Sequence, residues 1–290
     1  MTTPTQAATE PAAEEGRPVE LRREGEIAFV KLNRPTKRNA VNDALLEQLG
    51  DCFTSGLGDA RVVVLHGEGA HFCAGLDLHE LMAKRSPDVI VGMRRSRQWH
   101  RIFDLIQFGE VPVVSVLKGG VIGGGLELAA ATHVRVSEAS TFYQLPEGQR
   151  GIFLGGGGSV RIPRILGAGR VVEMMLTGRA MDAQEGLRLG MAHHLVPNGE
   201  GLAKATELAL AVARNAPATN YAIVNGIARI SEMPMGEGFF AETMVTVMTK
   251  ASGSGASQRI NEFFEGRRRE RDGKESGKDS GQGNGQGEGG

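Results

Sequence analysis

The chain has 290 residues, 40% of them hydrophobic and 23% charged, with a formal net charge of −1 at pH 7. That length supports one sizeable core with room for a small appended domain, and the near-neutral charge gives no global attraction to nucleic acid or an anionic membrane. Cys52 and Cys73 form no CxxC pair, the opening residues carry no basic-then-apolar leader, and no apolar run approaches the ~18 residues of a membrane span, so a soluble protein of the reducing cytoplasm is expected.

Residues 1–19, rich in Ala, Thr, Pro and Glu, are read as a disordered arm. Ile27 to Leu32 predicts a short apolar strand that stops at Asn33-Arg34-Pro35. Asn42 offers an N-cap, with Asp43 in the first turn and Leu45, Leu46, Leu49, Cys52 and Phe53 at helical spacing. Arg61 to His66 predicts a second buried strand, from which the small-residue loop Gly67 to Leu78 leads into a helix. Residues 88–108 predict a helix with Val89, Met93, Ile102, Phe103 and Ile106 on its apolar side; Trp99 shares the face of Phe103, as core or as pocket lining.

The dense apolar run Val111 to Leu117 predicts another buried strand, followed by a glycine turn, and His133 to Val136 a further short one. Phe142 to Gly148 is read as a loop because Pro146 and Gly148 punctuate it; Tyr143 within it either borders a pocket or packs in the core. Gly155 to Gly158 opens a helical region through Leu166, and Arg170 to Leu176 continues the pattern. Asp182 with Glu185 three residues on resembles a capping box for a helix ending at Leu189. A boundary near Pro197-Asn198-Gly199 divides an α/β body, residues 20–198, from three or four helices in 199–272. Residues 273–290 form a low-complexity tail and are read as unstructured.

The chemistry concentrates at Lys118 to Ala131, where a buried strand runs through Gly123-Gly124-Gly125 into a helix. Glycines bring backbone amides close to a bound atom, and the first N–H groups of a helix lack intrahelical partners and sit in the positive end of its dipole. A second small-residue turn at residues 74–76 supplies another such amide, and two amides converging on one carbonyl oxygen stabilise an oxyanion. Glu127 and Glu147 stand beside these turns, and two carboxylates divide base and acid roles when their surroundings separate their pKa values. The ordinary reading stands alongside: glycine turns before helices are common, and a first-turn Glu answers the helix dipole. A dinucleotide fingerprint fails because Leu128 occupies its third glycine position; no P-loop or G-x-S-x-G elbow is present. His66, His71, His79 and the adjacent His193 and His194 lack metal-site spacing, so no metal is expected. Cys73 reads as a small packing residue, not a nucleophile.

Taken in order, Asn33-Arg34-Pro35 with Asn39-Ala40, Phe72 to Leu78, Gly123 to Ala129, Pro146-Glu147, the glycine run before Arg161, Thr177-Gly178-Arg179 with Ala183, Glu185 and Gly190, and Phe263 to Arg268 resemble the enoyl-CoA hydratase/isomerase family, the crotonase superfamily. The resemblance leaves out only the two tails. It implies an α/β fold, a crotonase-like spiral of ββα repeats with a C-terminal helical trimerisation region, assembled as a homotrimer or as a hexamer of two trimers. It implies an acyl-CoA substrate with no separate cofactor, coenzyme A being the thioester carrier. The N–H groups of Leu76 and Gly124 would hold the thioester carbonyl; Glu127 would assist attack of water at C3, and Glu147 would deliver a proton to C2. Lys37, Ala74, Asp77 and Gly123 are the expected substrate and CoA contacts, with a solvated loop the ordinary reading of Lys37. Arg267 and Arg268 either reach a neighbouring subunit's CoA or form a basic helix end.

Both glutamates together favour an enoyl-CoA hydratase over an enoyl-CoA double-bond isomerase, which usually keeps only the second. A hydratase–lyase acting on an aromatic enoyl-CoA is a third reading, and an RNA- or protein-binding scaffold using the basic run at residues 267–271 is the non-enzymatic one, although nucleic acid is not an expected partner. Two departures bear on the acyl group. Leu76 is bulkier than the alanine common there, and residues 147–154 lack the proline often found before the glycine run.

Overall fold

The computed structural model describes residues 16–251, 255, 258–265 and 267. The rest of the expected arm, the 273–290 tail and Arg268 lie outside the described residues. The chain opens with an antiparallel hairpin of β1 (Val19–Glu24) and β2 (Ile27–Leu32), so the first strand begins at the last residue assigned to the arm. Its alternation Val-Glu-Leu-Arg suits an edge strand with one wet face.

After α1 (Asp43–Asp51) come β3 (Val62–Gly67), α2 (Leu78–Ala83), α3 (Val89–Gln107) and β4 (Val113–Leu117). The chain then crosses into β5 (Gly120–Ile122), α4 (Gly124–Ala130), β6 (Val134–Glu138) and β7 (Phe142–Gln144). Next are α5 (Gly158–Leu166), α6 (Ala168–Thr177), β8 (Ala180–Asp182), α7 (Ala183–Arg188), β9 (His194–Val196), α8 (Gly201–Ala213), α9 (Pro217–Ile230) and α10 (Met235–Lys250); residues 258–265 are also helical.

Six strands form one sheet in the order β1-β2-β3-β4-β6-β9, parallel from β2 onward. Three form a second, β5-β7-β8. A large-sheet strand, a small-sheet strand and a helix in succession, as in β4-β5-α4, make the ββα unit of a crotonase-like spiral. The continuous apolar runs of β3 and β4 are buried on both faces, as parallel strands between two layers must be. Val63, Leu65, Val113 and Leu117 face the main core with α1, α3 and α4; Val62, Val64, Val114 and Val116 face Ala205, Ala209 and Ala213 of α8.

Four expectations change here. Phe142–Gln144 is a strand rather than a loop, because its backbone is paired with β5 on one side and β8 on the other. In α3, Val89 and Met93 are exposed, and the buried stripe is Trp99, Ile102, Phe103 and Ile106. The first helix beyond residues 197–199, α8, packs against the large sheet and so belongs with the body. The α7 cap is half of the expected box: Asp182 accepts from the Glu185 amide at 2.7 Å, while the Glu185 carboxylate pairs with Arg179. Among the described residues no helix is long and apolar enough to cross a membrane.

Candidate active site

The two small-residue turns meet. At Gly75, φ is +83° and a Cβ would lie 2.5 Å from the Ile122 carbonyl oxygen and 3.0 Å from the Gly124 nitrogen, so only glycine admits this approach. Leu76 is held beside Val41 by a parallel bridge, with the Val41 amide donating to Gly75 at 2.7 Å and the Asp77 amide donating to Val41 at 2.9 Å. Those bonds leave the Leu76 N–H without an acceptor among the described residues. The Gly124 N–H is the first of α4 and is likewise unused. A Cβ on Gly124 would stand 3.5 Å from the Leu76 nitrogen and 2.7 Å from the Trp99 ring, which places both amides at one wall of a single cavity.

Glu127 follows one turn into α4 and is 3% exposed. Its Oε1 accepts the Gly156 and Gly158 amides, each at 2.8 Å, where the chain enters α5. Arg161 braces this turn from behind, donating to the Gly156 carbonyl at 3.1 Å and pairing with Asp104. Burial raises the Glu127 pKa, while the two amides and the charges of His100 and Arg161 work the other way. Its Oε2 faces Gly156, where a Cβ would come within 3.2 Å.

Glu147 comes from the far side, at the end of the segment that β7 leads into. It is 6% exposed, and its Oε2 is buried with no partner among the described residues. Burial pushes its pKa up to about 7, with the Glu127 charge adding in the same direction and Arg150 opposing. Gly123, at φ +51°, leaves room for it: a Cβ there would lie 2.5 Å from Glu147 Oε1. One carboxylate is therefore tied to two amides, and the other holds its proton near neutrality beside an unused oxygen. Two carboxylates in such different surroundings can divide base and acid roles.

The cavity between them has a volume of about 210 Å³ and takes in Ala74, Leu76, Gly123, Gly124, Glu127 and Glu147. Six of the eight expected site residues are thus together. Asp77 and Lys37 are not among them. The Asp77 carboxylate caps α2, accepting from the His79 and Glu80 amides at 3.1 and 3.2 Å, and pairs with buried Arg34 at 3.0 Å. It anchors the Leu76 turn from outside the cavity lining. Lys37 ends an exposed 3-10 turn, Pro35–Lys37, outside the lining.

Trp99 belongs to the buried core and also lines the cavity, edge-on to Phe103 with centroids 5.5 Å apart, so both of its readings hold. Tyr143 is wholly buried with its hydroxyl on Ser137, a core residue. Cys73 is buried with its pKa pushed up to about 12 by desolvation, so its thiol stays protonated and inert. Sequence reasoning missed the Gly156 and Gly158 amides and the polar lining residues Arg95, Ser96 and Arg150. The last turns of a pattern betray two of them: Gly92, Arg95, Ser96 and Trp99 stand at i, i+3, i+4 and i+7 on α3, one face.

Comparison with known proteins points one way. A family profile described as enoyl-CoA hydratase/isomerase matches residues 22–271. The chain is 34% identical over 218 residues to a carnitinyl-CoA dehydratase of Proteus mirabilis, covering 74% of this chain and 82% of that one. It is 30% identical over 231 residues to an enoyl-CoA hydratase of Mycobacterium tuberculosis, covering 78% and 86%. A solved structure from Rhodopseudomonas palustris, provisionally assigned as an enoyl-CoA hydratase, superposes with a TM-score of 0.82 at 46% identity, over 89% of this chain and 100% of that one. An enoyl-CoA hydratase from Bacillus anthracis gives a TM-score of 0.79 at 27% identity, over 86% and 96%.

Proposed function

Because the chain belongs to the enoyl-CoA hydratase/isomerase family, we propose that it adds water across the 2,3 double bond of an enoyl-CoA thioester and runs the reverse dehydration on the same residues. The observation that carries this reading is the split between the two carboxylates: Glu127 accepts two amides, and Glu147, with its pKa near 7, has a buried oxygen with no partner among the described residues. The thioester carbonyl accepts from the Leu76 and Gly124 amides, which oppose the negative charge that grows on it as C3 is attacked. A water between the carboxylates gives its proton to Glu127 as its oxygen bonds to C3. Glu147 delivers its own proton to C2 as the enolate collapses. Glu127 ends protonated and Glu147 ionised, and exchange with solvent resets them. Ala74 and Gly123 flank the thioester.

The titration of Glu147 also suits a group that takes a proton from one carbon and returns it to another, the work of an isomerase. Assay of 2-enoyl and 3-enoyl thioesters side by side separates the two: loss of the conjugated band with gain of one water supports hydration, and appearance of that band from a 3-enoyl thioester supports isomerisation. We further propose that the chain assembles as a homotrimer, or a hexamer of two trimers, through α9, α10 and the helical residues 258–265. Tyr221, Ile227, Phe239, Phe240, Met244 and Phe263 are all exposed there, more apolar surface than a monomer ordinarily leaves to water.

A further inference from the structure

We infer that the acyl group this site accepts ends in a carboxylate, received between Arg95 of α3 and Arg150 of the segment after Glu147. The inference rests on the reading of the cavity as an acyl-CoA site. It begins with α3. Its inward stripe is apolar at Trp99, Ile102, Phe103 and Ile106, and a simple hydrocarbon pocket would keep it apolar to the end. Where the stripe reaches the cavity it instead presents Arg95 and Ser96.

Ser96 is committed, its hydroxyl donating to the Gly155 carbonyl at 2.6 Å. Arg95 is committed only in part. Its Nη2 lies 3.1 Å from Asp43 and 3.7 Å from Glu80, while its Nε–H is buried with no acceptor among the described residues. A buried donor left without a partner costs free energy that a bound acceptor restores. Charge points the same way. Lys84 also reaches Asp43 and Glu80, each at 2.7 Å, so two cations and two carboxylates balance in that cluster. Arg150, which also lines the cavity, makes no side-chain hydrogen bond or ion pair among the described residues; the one charge it is seen to act on is Glu147. With its pKa raised to about 7, Glu147 offsets the guanidinium of Arg150 only in part near neutral pH, so Arg150 brings net positive charge to the acyl end. A carboxylate meets both needs, accepting from Arg95 Nε and pairing with Arg150.

The test is binding of saturated acyl-CoA thioesters, which cannot be hydrated, in pairs of equal chain length with a terminal carboxylate or a terminal methyl. Calorimetry on the full chain gives dissociation constants, and the matching 2-enoyl pairs give kcat/KM. The carboxylated member is expected to bind at least about tenfold tighter, the scale of a charge-assisted pair. That ratio should fall towards one in Arg150→Gln, an exposed position where folding is not at stake. Arg95→Lys should lower it as well, since an ammonium on a flexible stem does not reproduce the Nε–H. Equal or tighter binding of the methyl member, or an unchanged ratio in Arg150→Gln, overturns the inference. The outcomes separate from those of the hydratase reading. Tighter carboxylate binding without hydration keeps this inference and removes that reading, whereas efficient hydration of the methyl members alone does the reverse.

Discussion

Glu147 sets how the site responds to pH. Its carboxyl is raised to about 7 by burial, so in the proposed hydration it would serve as an acid up to neutral pH and lose that capacity as pH rises. The hydration kcat/KM is expected to fall above an apparent pKa near 7, and a profile flat to pH 9 would remove Glu147 as the proton donor. Stability moves with the same group. A folded pKa above the ordinary carboxylate value means the native state keeps a proton that the unfolded chain has released, so stability is fully present below the unfolded pKa and declines as pH rises through 7. Glu147→Gln cannot ionise. Its melting temperature should therefore fall less than that of the native chain between pH 5 and pH 8; equal falls would show that Glu147 is not a source of the dependence. Glu127→Gln keeps an oxygen for the Gly156 and Gly158 amides but no base, and hydration should drop by ~10²–10⁴ with acyl-CoA affinity retained. The two carboxylates were legible in the sequence because each stands beside a glycine turn. What holds them apart was not, since burial and an unused oxygen are properties of the assembled core.

At the scale of elements, the site depends on turns that glycine alone permits and on caps that hold them. Gly158 opens α5, where alanine suits the helix, but a Cβ there would lie 2.5 Å from Glu127 Cγ. Gly158→Ala should cost ~10²-fold or more in hydration by displacing the base, with α5 itself intact by circular dichroism. Asp77 gives a contrasting case. Asp77→Ala removes an N-cap and strands buried Arg34, a loss of roughly 3–5 kcal/mol by urea unfolding. A ligand contact would instead lose affinity with stability unchanged. The sequence showed α1 and its Asn42 cap, because cap and apolar spacing are local signals. It did not show the Glu127 cradle, which joins α4 to amides 29 and 31 residues further on. Nor did three-residue strands such as Phe142–Gln144 stand out, since their pairing with β5 and β8 is settled by neighbours distant in the chain. The acyl-end arginines escaped notice for the same reason: Arg95 and Arg150 meet at one cavity only after α3 and the Glu147 segment have packed.

For the whole molecule, the large sheet carries two cores on opposite faces, and the spiral brings the Leu76 and Gly124 turns to one wall. The fold class was legible because several motifs in a fixed order constrain a chain far more than any one glycine pattern. Assembly is a separate matter, decided by faces that one chain leaves bare. Sedimentation of the full chain should give three or six copies, and Phe240→Asp on exposed α10 should shift it to smaller species without unfolding the body; a native monomer would contradict the assembly. The central claim, hydration by a divided pair of carboxylates, is tested most directly by absorbance of the conjugated enoyl thioester. Native protein should bleach that band on a 2-enoyl-CoA and yield a product heavier by one water, and Glu147→Gln should bind the same thioester without bleaching it. A native protein that binds 2-enoyl-CoA and leaves the band intact, or a Glu147→Gln variant that bleaches it at the native rate, would contradict the account.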